Sequence, residues 1–181
     1  MKMDHAGSAC SITLNNIGKH QIHTSFEEFD SIGSLSIQDK ELMQAAIDAT
    51  NLSYSPYSMF KVGAAARLDN GVVLKGSNQE NASYPVGICA ERVLLSVCAS
   101  LYPGIPILDL AISYRSDNGK SDKPICPCGM CRQSLLEYEI LSMHAIRLIM
   151  GGLEGKVIII EKAHDLLPFA FTSEDLLGAS K

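Results

Sequence analysis

Two cysteine-bearing segments constrain this chain more than any other feature: Cys89-Ala90-Glu91-Arg92, and Pro127-Cys128-Gly129-Met130-Cys131-Arg132-Gln133. Cys128 and Cys131 stand three residues apart at a helix start. Residues three apart share a helix face, so both sulfurs can point at one ion. Cys89 offers the same chemistry from the start of a second helix. The unpaired N–H groups of a first helical turn favour thiolates and lower their pKa. Gly129 lets the backbone approach a metal closely. A fold that uses all three sulfurs must hold the ion between two facing helix N-termini.

The ligand count separates two kinds of site. A structural zinc site is usually closed by four protein ligands, whereas a catalytic one has three and keeps the fourth position for water. Glu91, two residues after Cys89, is placed to handle that water's protons. Three thiolates around a dication leave a net negative charge. Arg92 can donate hydrogen bonds to the sulfurs and offset it, and Arg132 is a weaker candidate for the same task. The competing reading is a structural zinc knuckle or a redox pair, for which a lone C-x-x-C is a frequent mark, with Cys126 or Cys98 as a fourth ligand. That reading leaves Glu91 unexplained. Cys126 precedes Pro127, which is biased to begin the helix, so Cys126 is expected outside the turn that aims Cys128 and Cys131.

Bulk properties agree with a small soluble enzyme. The 181 residues suffice for one domain with a core and a short extension. No stretch is long and apolar enough to span a membrane. Residues 1–7 have no apolar core behind them and do not read as a secretion signal. The net charge of −5, with no basic run, argues against a nucleic-acid partner. Six cysteines without such a signal suggest a reducing, cytoplasmic compartment, with thiols free or metal-bound.

Residues 1–33 read as an N-terminal extension, in which residues 11–17 could add a strand. His5, His20 and His23 are expected to be surface histidines rather than metal ligands. The domain, residues 34–181, opens with a helix from Ser36 whose apolar spacing runs through Ile37, Leu42, Ala45, Ala46 and Ala49. Strands are expected over residues 60–68 and 72–74, joined by a hairpin turn at Asp69-Asn70-Gly71. A helix follows over residues 89–101, a strand over 107–114, and a helix over 129–139. Short apolar strands follow at 145–150 and 157–160. Thr172 looks like the cap of a last short helix. The expected fold is a three-layer α/β/α sandwich around a five-stranded mixed sheet.

Five segments together resemble cytidine deaminases of the nucleoside-salvage type. They are residues 54–65, Asn78-Gln79-Glu80-Asn81-Ala82-Ser83-Tyr84, Cys89-Ala90-Glu91-Arg92, residues 127–133, and Leu166-Leu167-Pro168-Phe169-Ala170-Phe171. The resemblance covers residues 35–177. It implies hydrolytic deamination of cytidine and 2′-deoxycytidine. One zinc ion per chain would be held by Cys89, Cys128 and Cys131, with Glu91 as proton shuttle and Arg92 supporting the sulfurs. It implies substrate contacts from Asn78 and Glu80 to the ribose, from Phe60 to the pyrimidine, and from Ala90. Cys-Ala-Glu in place of His-Ala-Glu points to the short homotetrameric class, in which Tyr84 and Phe171 would complete a neighbour's pocket. The chain departs from the common pattern at Pro85-Val86-Gly87, at Cys126 and at Phe169, where glycine is frequent. Two other readings compete: a deaminase editing nucleic acid, which would need a basic surface, and an inactive zinc-stabilised binding module, which would not need Glu91.

Overall fold

The computed structural model describes residue 18 and residues 20–178. The strand expected at residues 11–17 and His5 lie outside the described residues. In chain order the elements are β1 (Glu27–Phe29), α1 (Ile37–Ala49), β2 (Phe60–Leu68), β3 (Val73–Ser77), α2 (Ala90–Leu101), β4 (Ile107–Ser116), α3 (Gly129–Ser142), β5 (Arg147–Gly151), β6 (Val157–Ile160) and α4 (Ser173–Leu177). The strands form one mixed sheet in the order β1-β6-β5-β4-β2-β3. Among the described strands only β4 and β5 pair in parallel, with Leu110 opposite Leu148, and α3 makes the crossover between them.

The three layers follow from alternation along the strands. Ala64, Ala66, Leu110, Ile112, Leu148 and Met150 face α2 and α3, packing on Leu94, Leu95 and Leu135. Ala65, Ala111, Ile149 and Ile159 face the other way, onto Leu42, Met43 and Ala46 of α1. Ser36 caps α1 by accepting from the Asp39 N–H at 3.1 Å. Ile37, counted above in the apolar face of this helix, is instead exposed, and Met43 is buried. The turn after β2 is as expected: Gly71 takes a φ of +83° and its N–H donates to Leu68. Thr172 and Asp175 form a reciprocal capping box on α4.

Among the described residues the sheet has six strands, not the expected five. The sixth is β1, whose backbone pairs antiparallel with β6, Glu28 opposite Ile158. It is three residues long, Glu-Glu-Phe, on a sheet edge. Backbone hydrogen bonds to β6, the Glu28–Lys156 pair and Phe29 packed against the core hold this segment, and three residues are too few to carry an alternating apolar pattern.

Two glycines set how the helices lie on the hairpin. A Cβ on Gly63 would fall 2.1 Å from the Ala46 carbonyl oxygen of α1, and one on Gly76 would fall 2.8 Å from the Ala90 carbonyl oxygen of α2. The first turn of α2 therefore rests directly on β3. This contact places Cys89 and Glu91 at the edge of the sheet.

The far end of α3 is fixed by a buried carboxylate that the sequence did not single out. Glu139 accepts from the N–H groups of Ile146, Ala163 and His164 at 2.7, 2.9 and 3.0 Å, and lies 2.9 Å from His164 Nδ1. One side chain thus ties α3 to the entry of β5 and to the turn after β6. Glu139→Ala strands these backbone donors away from water. It should lower the unfolding free energy by at least about 3 kcal/mol, read by denaturant titration of the zinc-loaded protein. A loss under about 1 kcal/mol would show that water replaces the carboxylate.

Candidate active site

Cys89 and Cys128 occupy the N-cap positions of α2 and α3, and Cys131 lies in the first turn of α3. The two helix starts face each other. The Cys89 and Cys128 sulfurs are 3.8 Å apart, the Cys128 and Cys131 sulfurs 3.5 Å, and all three lie within 4.8 Å of one another. Tetrahedral zinc with Zn–S bonds of about 2.3 Å wants its sulfurs about 3.8 Å apart, so the donor set fits the ion. Among the described residues this is the only group of three or more Cys, His, Asp or Glu residues close enough to hold a metal. His20 and His23 are exposed and belong to no such group.

The thiols also need a cation. Hydrogen bonding from Cys131, with help from Cys128 and Arg92, holds the Cys89 thiol down to about 5. The bond to Cys89, together with burial, pushes the Cys131 thiol up. The trio by itself therefore favours a thiolate at Cys89 while keeping Cys131 protonated. Full ionisation of all three requires a positive charge among them.

Glu91 is 5% exposed, beside this cluster. Burial pushes its carboxyl up from the ordinary range, and the negative charge of Cys89 adds to the rise. A carboxyl with a raised pKa can serve as both base and acid near neutral pH. Arg92 bends back with its Nη2 3.4 Å from the Gly87 carbonyl, and its buried Nε has no hydrogen-bond partner within the protein. Arg132 does something other than the sequence suggested. Its Nε donates to the Pro127 carbonyl at 2.9 Å and its Nη1 to the Leu166 carbonyl at 3.1 Å. It clamps backbone around the α3 start and does not serve the sulfurs.

A cleft of about 370 Å³ opens over these groups, and Asn78, Glu80, Tyr84, Cys89, Ala90, Glu91, Arg92 and Cys128 all line it. Asn78 is largely occupied by the fold. Its Oδ1 accepts from the Val62 N–H at 2.8 Å and the Ser53 hydroxyl at 2.5 Å, and its Nδ2 donates to the Phe60 carbonyl at 2.9 Å. One amide hydrogen remains for a ligand. Glu80 accepts from the N–H groups of Tyr57 and Ser58 at 2.9 and 3.2 Å. Its lone pairs not taken by these donors remain for a ligand's hydroxyl.

Phe60 does not line the cleft. Its ring stacks on Tyr114 with centroids 4.9 Å apart, and Val62, two residues further along β2, lines the cleft instead. Tyr84 stands at the mouth of its own chain's cleft, edge-on to Tyr57 at 5.9 Å. Phe171 is exposed and outside the lining, its carbonyl accepting from Gln133 Nε2 at 2.8 Å. The residues that the sequence reading missed, Ser53, Tyr57 and Ser58, act on Asn78 and Glu80 from the loop before β2. Pro56 between them marks a turn but says nothing of its partner.

A larger cavity of about 410 Å³ lies at the other ends of α2 and α3, lined by Cys98, Tyr102, Ile105, Leu141 and Met143 among others. Burial pushes the Cys98 thiol up to about 11, which makes it unreactive. The cavity's other ionisable lining groups are the phenols of Tyr102 and Tyr138, with no carboxylate or histidine among the lining residues, so chemistry and not size identifies the site.

Three cysteines at facing helix starts with a buried carboxylate beside them are the donor set of a catalytic, hydrolytic zinc site rather than a four-ligand structural one. Residues 36–146 match the family model for the cytidine and deoxycytidylate deaminase zinc-binding region. The cytidine deaminase of Halalkalibacterium halodurans is 38% identical over 135 residues, 75% of this chain and 95% of that protein. A cytidine deaminase of Mycobacterium tuberculosis is 40% identical over 134 residues, 72% of this chain and 87% of that protein. The crystal structure of cytidine deaminase from Burkholderia pseudomallei superposes with a TM-score of 0.63 at 37% identity, covering 73% of this chain and 98% of that one. The chain belongs to the cytidine and deoxycytidylate deaminase family, and zinc is its cofactor.

Proposed function

We propose that this enzyme hydrolyses cytidine and 2′-deoxycytidine to uridine and 2′-deoxyuridine, releasing ammonia, in pyrimidine nucleoside salvage. The observation that carries the reading is Glu91, buried beside the three-sulfur group in a cleft whose other end presents Asn78 and Glu80. Cys89, Cys128 and Cys131 hold the zinc, which when bound supplies the Lewis acidity that makes water a competent nucleophile near neutral pH. Glu91 takes a proton from the attacking water and delivers it to N3 of the ring. Once the C4–O bond has formed, Glu91 takes the remaining proton of the C4 hydroxyl and passes it to the amine as the C4–N bond breaks, leaving the C4 carbonyl of uridine and ammonia. Arg92 lowers the cost of three thiolates in one place. Asn78 donates its spare amide hydrogen to a sugar oxygen, and Glu80 accepts from a sugar hydroxyl, chiefly the 3′-hydroxyl. Ala90 packs at the base, and Phe60, through its stack on Tyr114, backs the wall beside the pyrimidine.

The substrate is a free nucleoside. A net charge of −5 offers little to a polynucleotide backbone. Loss of cytidine absorbance, compared with the same base in an oligonucleotide, tests this. Turnover of the oligonucleotide at the rate of the nucleoside would overturn it.

The reading includes a cytoplasmic homotetramer. Among the described residues no helix is long and apolar enough to cross a membrane, and all five cysteines are free. Tyr84, Val86, Met130 and Phe171 are exposed apolar side chains of the kind a neighbouring chain would cover. Tyr84 and Phe171 would then meet a neighbouring chain's pocket. Light scattering should give the mass of four 19.5 kDa chains. A fully active monomer would contradict both the assembly and the shared pockets.

A further inference from the structure

The loop before β2 grips Glu80 by three donors. The N–H groups of Tyr57 and Ser58 donate to Oε2 at 2.9 and 3.2 Å, and the Ser58 hydroxyl donates to Oε1. The Ser58 oxygen in turn accepts from the Phe60 N–H at 3.1 Å. A hydroxyl has one proton and two lone pairs, so an N–H on one lone pair helps to aim the proton at the carboxylate. The loop itself is braced. The Met59 N–H donates to the Ser55 carbonyl and the Met59 carbonyl accepts from the Asp117 N–H, both at 3.0 Å. Lys61 pairs with Asp117 at 2.6 Å. Met59 takes a φ of +56°, which a residue with an unbranched polarisable side chain adopts only where its surroundings impose it.

We propose that Ser58 is a positioning residue for sugar recognition: it locks one oxygen of Glu80 so that the remaining lone pair of that oxygen faces the nucleoside's 3′-hydroxyl. The inference rests on the assignment of Glu80 to the ribose made above. With Oε2 held by two amides and Oε1 by the hydroxyl, the carboxylate cannot rotate without breaking a bond. The loop is exposed in the free chain, so water can stand in for a missing hydroxyl there. A nucleoside filling the cleft displaces that water. Loss of the hydroxyl is therefore felt on binding and not at C4.

Ser58→Ala, Ser58→Thr and Glu80→Gln are compared with the wild type on cytidine and 3′-deoxycytidine, with zinc content measured for each. Ser58→Ala should raise KM for cytidine about tenfold, the worth of a hydrogen bond to a charged group, while kcat stays within about twofold. On 3′-deoxycytidine the KM penalty should shrink to about twofold or less, because the hydroxyl that Glu80 reads is gone. Ser58→Thr, which keeps the hydroxyl, should restore most of the cytidine KM. An equal penalty on both substrates, or loss of zinc or kcat together with KM, would mean general loop damage and would refute the assignment. So would an unchanged KM in Ser58→Ala while Glu80→Gln is impaired. Unchanged KM in Glu80→Gln would instead bring down the ribose reading, and the role of Ser58 with it.

Discussion

Glu91→Gln yields a folded protein with its full complement of zinc and a kcat lower by about 10³-fold or more, at the upper end of what general acid–base catalysis contributes. The side chain is buried, and glutamine has nearly its volume, so packing along α2 is preserved. The amide cannot take a proton from water or return one to the amine. Glu91 has no place in the three-sulfur group, so the metal should stay. Steady-state kinetics combined with metal analysis reads both halves of the claim. A zinc-loaded Glu91→Gln protein with near-normal kcat would move the proton transfer to another group.

Cys128→Ser should lose both zinc and activity, whereas Cys126→Ser should keep both. The two cysteines are separated only by Pro127 and both border the cleft, so they make a stringent pair. Cys128 caps α3 with its sulfur 3.8 Å from Cys89 and 3.5 Å from Cys131. Cys126 is exposed in the preceding loop and outside the three-sulfur group. A structural zinc site contributes folding free energy as well as chemistry, so Cys128→Ser should also melt at a lower temperature. The reverse pattern, with Cys126 indispensable and Cys128 dispensable, would put the ligand register off by two residues.

What the sequence revealed of this site follows a physical division. The pairing of Cys128 with Cys131 was legible because they sit at a fixed offset within one helix start; the approach of Cys89, 39 positions away on another helix start, followed from the shared need of three thiols for one cation. The cap of α1 at Ser36, the Gly71 turn and the capping box at Thr172 were legible for the same local reason. Other features that depend on a distant partner were not. Edge strand β1 is too short to show an apolar pattern, and the partners that hold it, the β6 backbone, Lys156 and the core under Phe29, are all distant in sequence. Glu139 looks like an ordinary surface helix residue until β5 and the following turn bring three N–H groups to it. Arg132 matched a role at the sulfurs by adjacency alone, and the Leu166 carbonyl, 34 positions away, took it instead. Ser58 is invisible as a functional residue until Glu80 is seen beside it, 22 positions on. Phe60 was placed against the substrate by resemblance; its ring stacks on Tyr114, a partner 54 positions on that the sequence does not announce.

The central claim is that three thiolates, one carboxylate and a sugar-reading pair make a zinc-dependent hydrolytic deaminase of free cytidine. The most direct test is to incubate the purified zinc-replete protein with cytidine and quantify uridine and ammonia together, before and after a chelator strips the metal. The account predicts equal amounts of both products, loss of turnover as zinc leaves, and recovery when zinc is restored. A protein carrying one zinc per chain, with Glu91 intact, that leaves cytidine unchanged would contradict it.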